Sequence, residues 1–306
     1  MILVTGGLGM IGAHTAHALT GLGHEVVVTA HRRAEVPSFL AGRVTMESLD
    51  VTDRDAFLAL AGRHEISDIV HLAGSIPGKD PVCFFRTETT GLLNALDAAR
   101  TWGVRRFAVA SSLGVYAGRA ETRWHEELAL PTAELPHLIV AFKKAVEPLT
   151  THGLRGSGVQ PVVLRIGTIW GPLVDPESPF FPIPPYISAV LRGEEPRPLH
   201  ADDGGDCCYA PDAGRAIALL MTAETLRHDT YNVSSGRPVT NREFADALQA
   251  ITPGLRLDLP PGRRDGPGDN PYLDTTRLTQ DTGFAPAFDV ATAVADYVAW
   301  RAGNPR

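Results

Sequence analysis

The opening stretch MILVTGGLGMIG constrains this chain more than any other part of it. Residues 2–5, ILVT, form an unbroken apolar run of the kind a strand buried on both faces requires. Glycines follow at 6, 9 and 12. The segment IGAHTAHALTGLG then sets Ile11, Thr15, Leu19 and Leu22 on one helical face and stops at Gly23. A strand turning this tightly into a helix needs positions without a Cβ, both for positive φ and so that a ligand can approach the backbone. The amides and positive dipole end of such a helix suit a pyrophosphate. Glycines at this spacing say little alone. With strand, turn and helix in register they read as a dinucleotide site built from Gly6, Gly9, Met10, Ile11 and Gly12.

The first half of the chain repeats the alternation. VVVT (26–29), DIVHLA (68–73), FAVASS (107–112) and VVLRI (162–166) are short β-rich runs separated by helix-length segments. Near-continuous apolar strands joined by helices predict an α/β fold, a Rossmann-type doubly wound parallel sheet covered on both faces. The texture changes after Gly171-Pro172. PLVDPESPFFPIPPY (172–186) and PPGRRDGPGDNP (260–271) read as loops, YNVSS (231–235) as a strand, and DVATAVADYVAWRAG as a helix. A dinucleotide-binding domain is therefore expected over 1–171, with a return segment near 204–235. A smaller, partly interleaved C-terminal substrate lobe would take 172–203 and 236–306.

Composition removes several classes of function. A chain of 306 residues that is 44% hydrophobic can bury a core of this kind. Its net charge of −7 argues against nucleic acid, which needs a basic surface. Cys83, Cys207 and Cys208 make no disulfide framework and show no metal-ligand spacing, so no metal and a reducing, cytoplasmic setting are expected. No apolar run is long enough for a bilayer and no signal-peptide pattern is seen, so no membrane is expected.

Which dinucleotide fits is read at the end of the second strand. An acidic residue there holds the ribose 2′-hydroxyl of NAD, whereas basic residues receive the 2′-phosphate of NADP. Here the strand runs VVVTAHRR. Ala30 stands near the acidic position and His31, Arg32 and Arg33 follow, which favours NADP over NAD.

Together with motifs further along, the chain resembles the NAD(P)-dependent epimerase/dehydratase family of the extended short-chain dehydrogenase/reductases. TGGLGMIG matches the family's opening, and DVTD implies that Asp50 and Val51 meet the adenine. HLAG (71–74) resembles the segment that lines the cofactor, through Leu72, Ala73 and Gly74. SSLGVY (111–116) resembles the segment bearing the catalytic Ser/Thr, placing it at Ser112 with Leu113 beside the substrate. LRIGTIWGP resembles a later segment that implies Ile166 at the cofactor and Thr168 at the substrate. The resemblance implies that Ser112 hydrogen-bonds the reacting oxygen and that Lys143 holds the nicotinamide ribose. It further implies a small-molecule substrate, a secondary alcohol or carbonyl on a small or sugar-like molecule. Homodimers pairing through helices around 85–102 and 140–155 are expected as well.

One partner is missing. The family's general acid/base is a tyrosine four residues before the lysine, its phenol near pKa 10 made useful by the neighbouring cation. Here IVAFKKAVE puts Ile139 at that place, and a shift of register to Lys144 gives Val140. Neither side chain carries a proton. Glu88 replaces an asparagine beside the cofactor, while Thr168 and Gly205 replace an asparagine and an arginine of the family pattern. Arg263 and Arg264 are candidates for phosphate contacts, with Arg264 taken as a substrate residue. Tyr116, His137 and Glu88 are candidate substitutes for the missing acid, Cys207 and Cys208 read rather as small core residues, and Tyr116 is kept among the catalytic residues. Two other readings stay open: a dinucleotide-binding sensor or scaffold without redox turnover, and a non-redox lyase or isomerase reusing the pocket.

Overall fold

Seven parallel strands form the central sheet of the computed structural model, which describes residues 1–32, 35–78, 80–133, 135–266 and 268–306. In chain order the strands are β1 (Ile2–Thr5), β2 (Val26–Ala30), β3 (Thr45–Ser48), β4 (Asp68–His71), β5 (Arg106–Ser112), β6 (Arg123–Trp124) and β7 (Gln160–Ile166). There follow β8 (Ile169–Trp170), β9 (Gly204–Asp206), β10 (Cys208–Tyr209), β11 (Thr230–Val233), β12 (Pro238–Thr240) and β13 (Tyr272–Leu273). The helices are α1 (Met10–Gly21), α2 (Arg54–Leu58), α3 (Pro81–Trp102), α4 (Leu138–Gly153), α5 (Ile183–Leu191), α6 (Ala210–Thr222), α7 (Asn241–Ile251), α8 (Thr276–Thr282) and α9 (Val290–Gly303).

The central sheet has the order β11-β7-β5-β4-β1-β2-β3. Strand order therefore reverses between β1 and β4, and a crevice opens beyond the carboxyl ends of those strands. Side chains alternate along each strand, so each of its faces gets its own core. Ile2, Val4, Val26 and Val28 pack with Ala13, Leu19 and Ile217 of α1 and α6. Leu3, Val27, Ile69 and Val109 pack with Leu92, Leu96, Phe142 and Val146 of α3 and α4. A third core gathers Ile187, Phe244, Leu248, Val294 and Tyr297 around Trp170, whose ring lies 5.0 Å from Tyr209 and 5.1 Å from Phe244.

Several local expectations need correction. Leu22, placed on the buried face of α1 by its spacing, is 48% exposed, because it sits at the helix C-cap. His14 and Ala16 are buried instead, since α1 packs against α6 as well as against the sheet. The proline-rich run at 172–186 is not loop throughout, because α5 begins within it at Ile183. Prolines at the first helical positions are tolerated there, where the amides have no intrahelical acceptor. DIVHLA ends as a strand at His71, and YNVSS at Val233.

Candidate functional site

The crevice at the strand-order reversal is a groove of about 830 Å³. Its floor is the glycine turn, where Gly6 has φ +65° and Gly9 precedes α1 as its N-cap. The turn closes so tightly that a Cβ on Gly12 would stand 2.4 Å from the Gly6 carbonyl oxygen. No side chain caps α1 and its first turn holds no acidic residue, so the helix offers its amides and positive end to a ligand. Met10 and Ile11 head that helix, half-buried.

At one end the groove is lined by Ala30, His31, Arg32, Asp50 and Val51. Arg33 lies outside the described residues. Asp50 accepts hydrogen bonds from the Thr52 amide at 2.9 Å and the Thr52 hydroxyl at 2.8 Å. These bonds, with His31 and Arg32 nearby, hold its carboxyl below the usual range. His31 Nε2 is 3.7 Å from the Asp50 carboxylate.

The other end is lined by Leu72, Ala73, Gly74, Ser75, Glu88 and Lys143. Lys143 Nζ donates to the Ala110 carbonyl at 2.7 Å. Burial pulls its pKa down, and the charge of Glu88 opposes that shift. Below it His71 is buried, with Nδ1 2.9 Å from the Thr5 hydroxyl. Burial, reinforced by the Lys143 charge, pushes His71 from its ordinary 6.5 down to about 3. A histidine kept neutral only in the folded state stabilises fully above pH 6.5, and that stability drains away as pH falls toward 3. The loss should be about 1.4 kcal/mol per pH unit below the unfolded value. Urea midpoints measured from pH 7 to pH 4 should fall steeply in the wild type and less steeply in His71→Gln.

Ser112 ends β5, two residues beyond the carbonyl that Lys143 grips, and its Oγ accepts from the Gly114 amide at 3.1 Å. Ile139 stands in the first turn of α4, one turn ahead of Lys143, half-buried against the α3–α4 core. Thr168 donates its amide to the buried Asp206 at 3.1 Å. Leu113 packs beside Val115 and Leu273. Ile166 is buried in the sheet core, and Arg264 is exposed on its loop with its amide turned to Asp203.

Tyr116 is not placed to exchange protons with a ligand in the groove. Its side chain is fully buried, and burial pushes its phenol up to about 12. The hydroxyl donates to Asn232 Oδ1 at 3.0 Å and accepts from Arg165 Nη1 at 2.8 Å. Arg165 in turn grips Glu147 with both forks, Nε to Oε1 at 3.0 Å and Nη2 to Oε2 at 2.8 Å. Ser111 Oγ adds a bond to Glu147 Oε1 at 2.6 Å. So the glutamate four residues after Lys143 faces inward and ties α4 to β5 and β7.

His71, Ser75, Thr87 and Phe142 also line the groove. Sequence reasoning did not single them out. His71 sits within the quoted HLAG, and its place at the carboxyl end of a central strand was the usable signal.

A sheet of this order, with a glycine turn and a groove at its switch point, defines a Rossmann-type dinucleotide-binding fold. The family model for the NAD dependent epimerase/dehydratase family matches residues 2–234, and the chain belongs to that family. It is 30% identical to a dTDP-glucose 4,6-dehydratase of Streptomyces griseus, over 98% of this chain and 93% of the relative. Its fold is similar to that of UDP-glucose 4-epimerase from Thermotoga maritima, with a TM-score of 0.80, 23% identity, and 100% and 99% of the two chains covered. UDP-glucuronic acid 4-epimerase from Bacillus cereus, solved with NAD, is similar at a TM-score of 0.80 and 19% identity, with 98% of each chain covered. No helix among the described residues is long and apolar enough to cross a membrane.

Proposed function

We propose that this protein is a nicotinamide-dinucleotide enzyme acting on a secondary alcohol or carbonyl of a sugar-nucleotide-type substrate, with proton transfer that bypasses the family's tyrosine. The observation that carries the reading is the groove itself, with the uncapped glycine turn as floor and Lys143 half-buried at one end. The turn fits a dinucleotide, since α1 starts there with no side-chain cap and no acid in its first turn, leaving its amides for a phosphate. The Bacillus cereus relative, solved with NAD, and the sugar-nucleotide substrates named for the relatives support the same reading.

When bound, the dinucleotide supplies the hydride acceptor. The chain's own residues do the rest. Lys143 spends one donor on Ala110 and keeps two for ribose hydroxyls. Ser112 takes its amide bond as an acceptor, which leaves its own proton to polarise a substrate oxygen. Ile139 gives that oxygen no acid, so water or a substrate group carries the proton. Ala30, His31 and Arg32 support NADP over NAD, because Ala30 stands where an acidic residue would hold the ribose 2′-hydroxyl and two basic side chains line the same end of the groove as Asp50. Two copies would pair through the face of α3 and α4, where Leu93 is 50% and Leu149 39% exposed.

Ile139→Tyr tests the reading. Calorimetric titration should show wild type and variant binding NADP more tightly than NAD, at twice the chain mass in solution. With dTDP-glucose or UDP-glucose, turnover should rise on the order of a hundredfold or more in the variant, the usual worth of a positioned acid/base. The sensor reading rests on the same isoleucine and expects binding with no gain in turnover. Absence of dinucleotide binding would remove both.

A further inference from the structure

We infer that Glu88 sets which oxidation state of the dinucleotide the groove prefers, favouring the positively charged oxidised nicotinamide over the neutral reduced ring. This assignment rests on the dinucleotide reading above. The two ends of the groove differ in chemistry, with His31, Arg32 and Asp50 at one and Ser75, Glu88 and Lys143 at the other. The glycine turn lies between them. With pyrophosphate on the turn and adenosine beside β2, the nicotinamide riboside falls to the Glu88 end.

Glu88 is held in place there. Its Oε1 accepts from the Ser75 amide and the Ser75 hydroxyl, both at 2.8 Å. Its Oε2 lies 3.2 Å from where a Cβ on residue 74 would stand, so the glycine leaves this oxygen room. A carboxylate pinned by one oxygen keeps its charge facing the groove. Lys143 is the one cation lining this end among the described residues, and its ammonium is drawn down onto Ala110. His71 adds no charge, being buried and neutral. With a neutral side chain at 88, the end would carry the lysine's positive charge and repel a pyridinium. Glu88 cancels that charge, and the reduced ring, having none, gains nothing from the exchange.

At the separations within such a groove, a unit charge partly screened by water changes an equilibrium by about tenfold. The test uses the whole protein, titrated by calorimetry with NADP, NADPH, NAD and NADH, as wild type and as Glu88→Gln. Glutamine keeps the shape and the acceptor for Ser75 but drops the charge. The ratio of reduced-form to oxidised-form Kd should fall by about tenfold in the variant. Glu88→Asn, shorter and also neutral, should move the ratio in the same direction, which separates charge from packing. Intact binding with an unchanged ratio in both variants overturns the assignment while leaving the dinucleotide reading standing. No binding of any form by the wild type overturns both.

Discussion

Arg165→Met should lower the unfolding temperature of this protein by about 6–20 °C, given roughly 3–5 kcal/mol for an orphaned buried charge and about 2–4 °C per kcal/mol in a large domain. Glu147 is only 9% exposed and takes both forks of the guanidinium. Without them its carboxylate keeps one neutral donor, Ser111. The Tyr116 hydroxyl loses its donor at the same time, and so does the carbonyl of Glu126, which accepts from Arg165 at 3.1 Å. The cost comes from stranding a charge rather than from losing a strong bond. Arg165→Met combined with Glu147→Leu should therefore recover most of the loss. Thermal and urea unfolding of both variants check this, and equal destabilisation of single and double variants would refute the account.

Gly12→Ala should weaken dinucleotide binding, with Kd raised on the order of a hundredfold if α1 shifts by about 1 Å. The added methyl would lie 2.4 Å from the Gly6 oxygen and 2.9 Å from Gly7 Cα, both backbone atoms that no rotamer change can move aside. Either the turn opens or the helix backs away, and both move the amides that face the ligand. Gly21→Ala is the matched control, because a Cβ there meets nothing within 4 Å. In the same helix it should leave binding intact and raise stability by roughly 0.5–1 kcal/mol. Titration of both variants with NADP reads out the difference.

The elements legible in the sequence are those whose burial is two-sided. β1, β2 and β5 from Phe107 onward announce themselves because nearly every residue is apolar or small where both faces of the sheet are covered. β3 does not, since TMES is an edge strand with most of its residues exposed and shows no pattern to read. The start of α5 is hidden by Pro184 and Pro185, which break a helix elsewhere but sit harmlessly in its first turn. In the site, the glycine turn is visible because backbone geometry leaves few alternatives, and Lys143 is visible through the resemblance of its segment to the family's. The link from Glu147 through Arg165 and Tyr116 to Asn232 is not, because these residues look like ordinary surface polar groups until the fold closes over them. The hold of Ser75 on Glu88 depends on a loop path that no periodicity encodes.

The strand β11 pairs with β7, and α6 covers α1, although both come after α5 and β9 in the chain. A fragment stopped after residue 171 would keep the glycine turn yet bare Ala13, Ala16 and Leu19, which pack with Ala213 and Ile217. It would also leave β7 as a raw sheet edge open to pairing with another chain. Residues 1–171 are thus not a removable module. During synthesis this segment must wait, partly unroofed, for α6 and β11, which emerge from the ribosome only after α5 and β9 have been made.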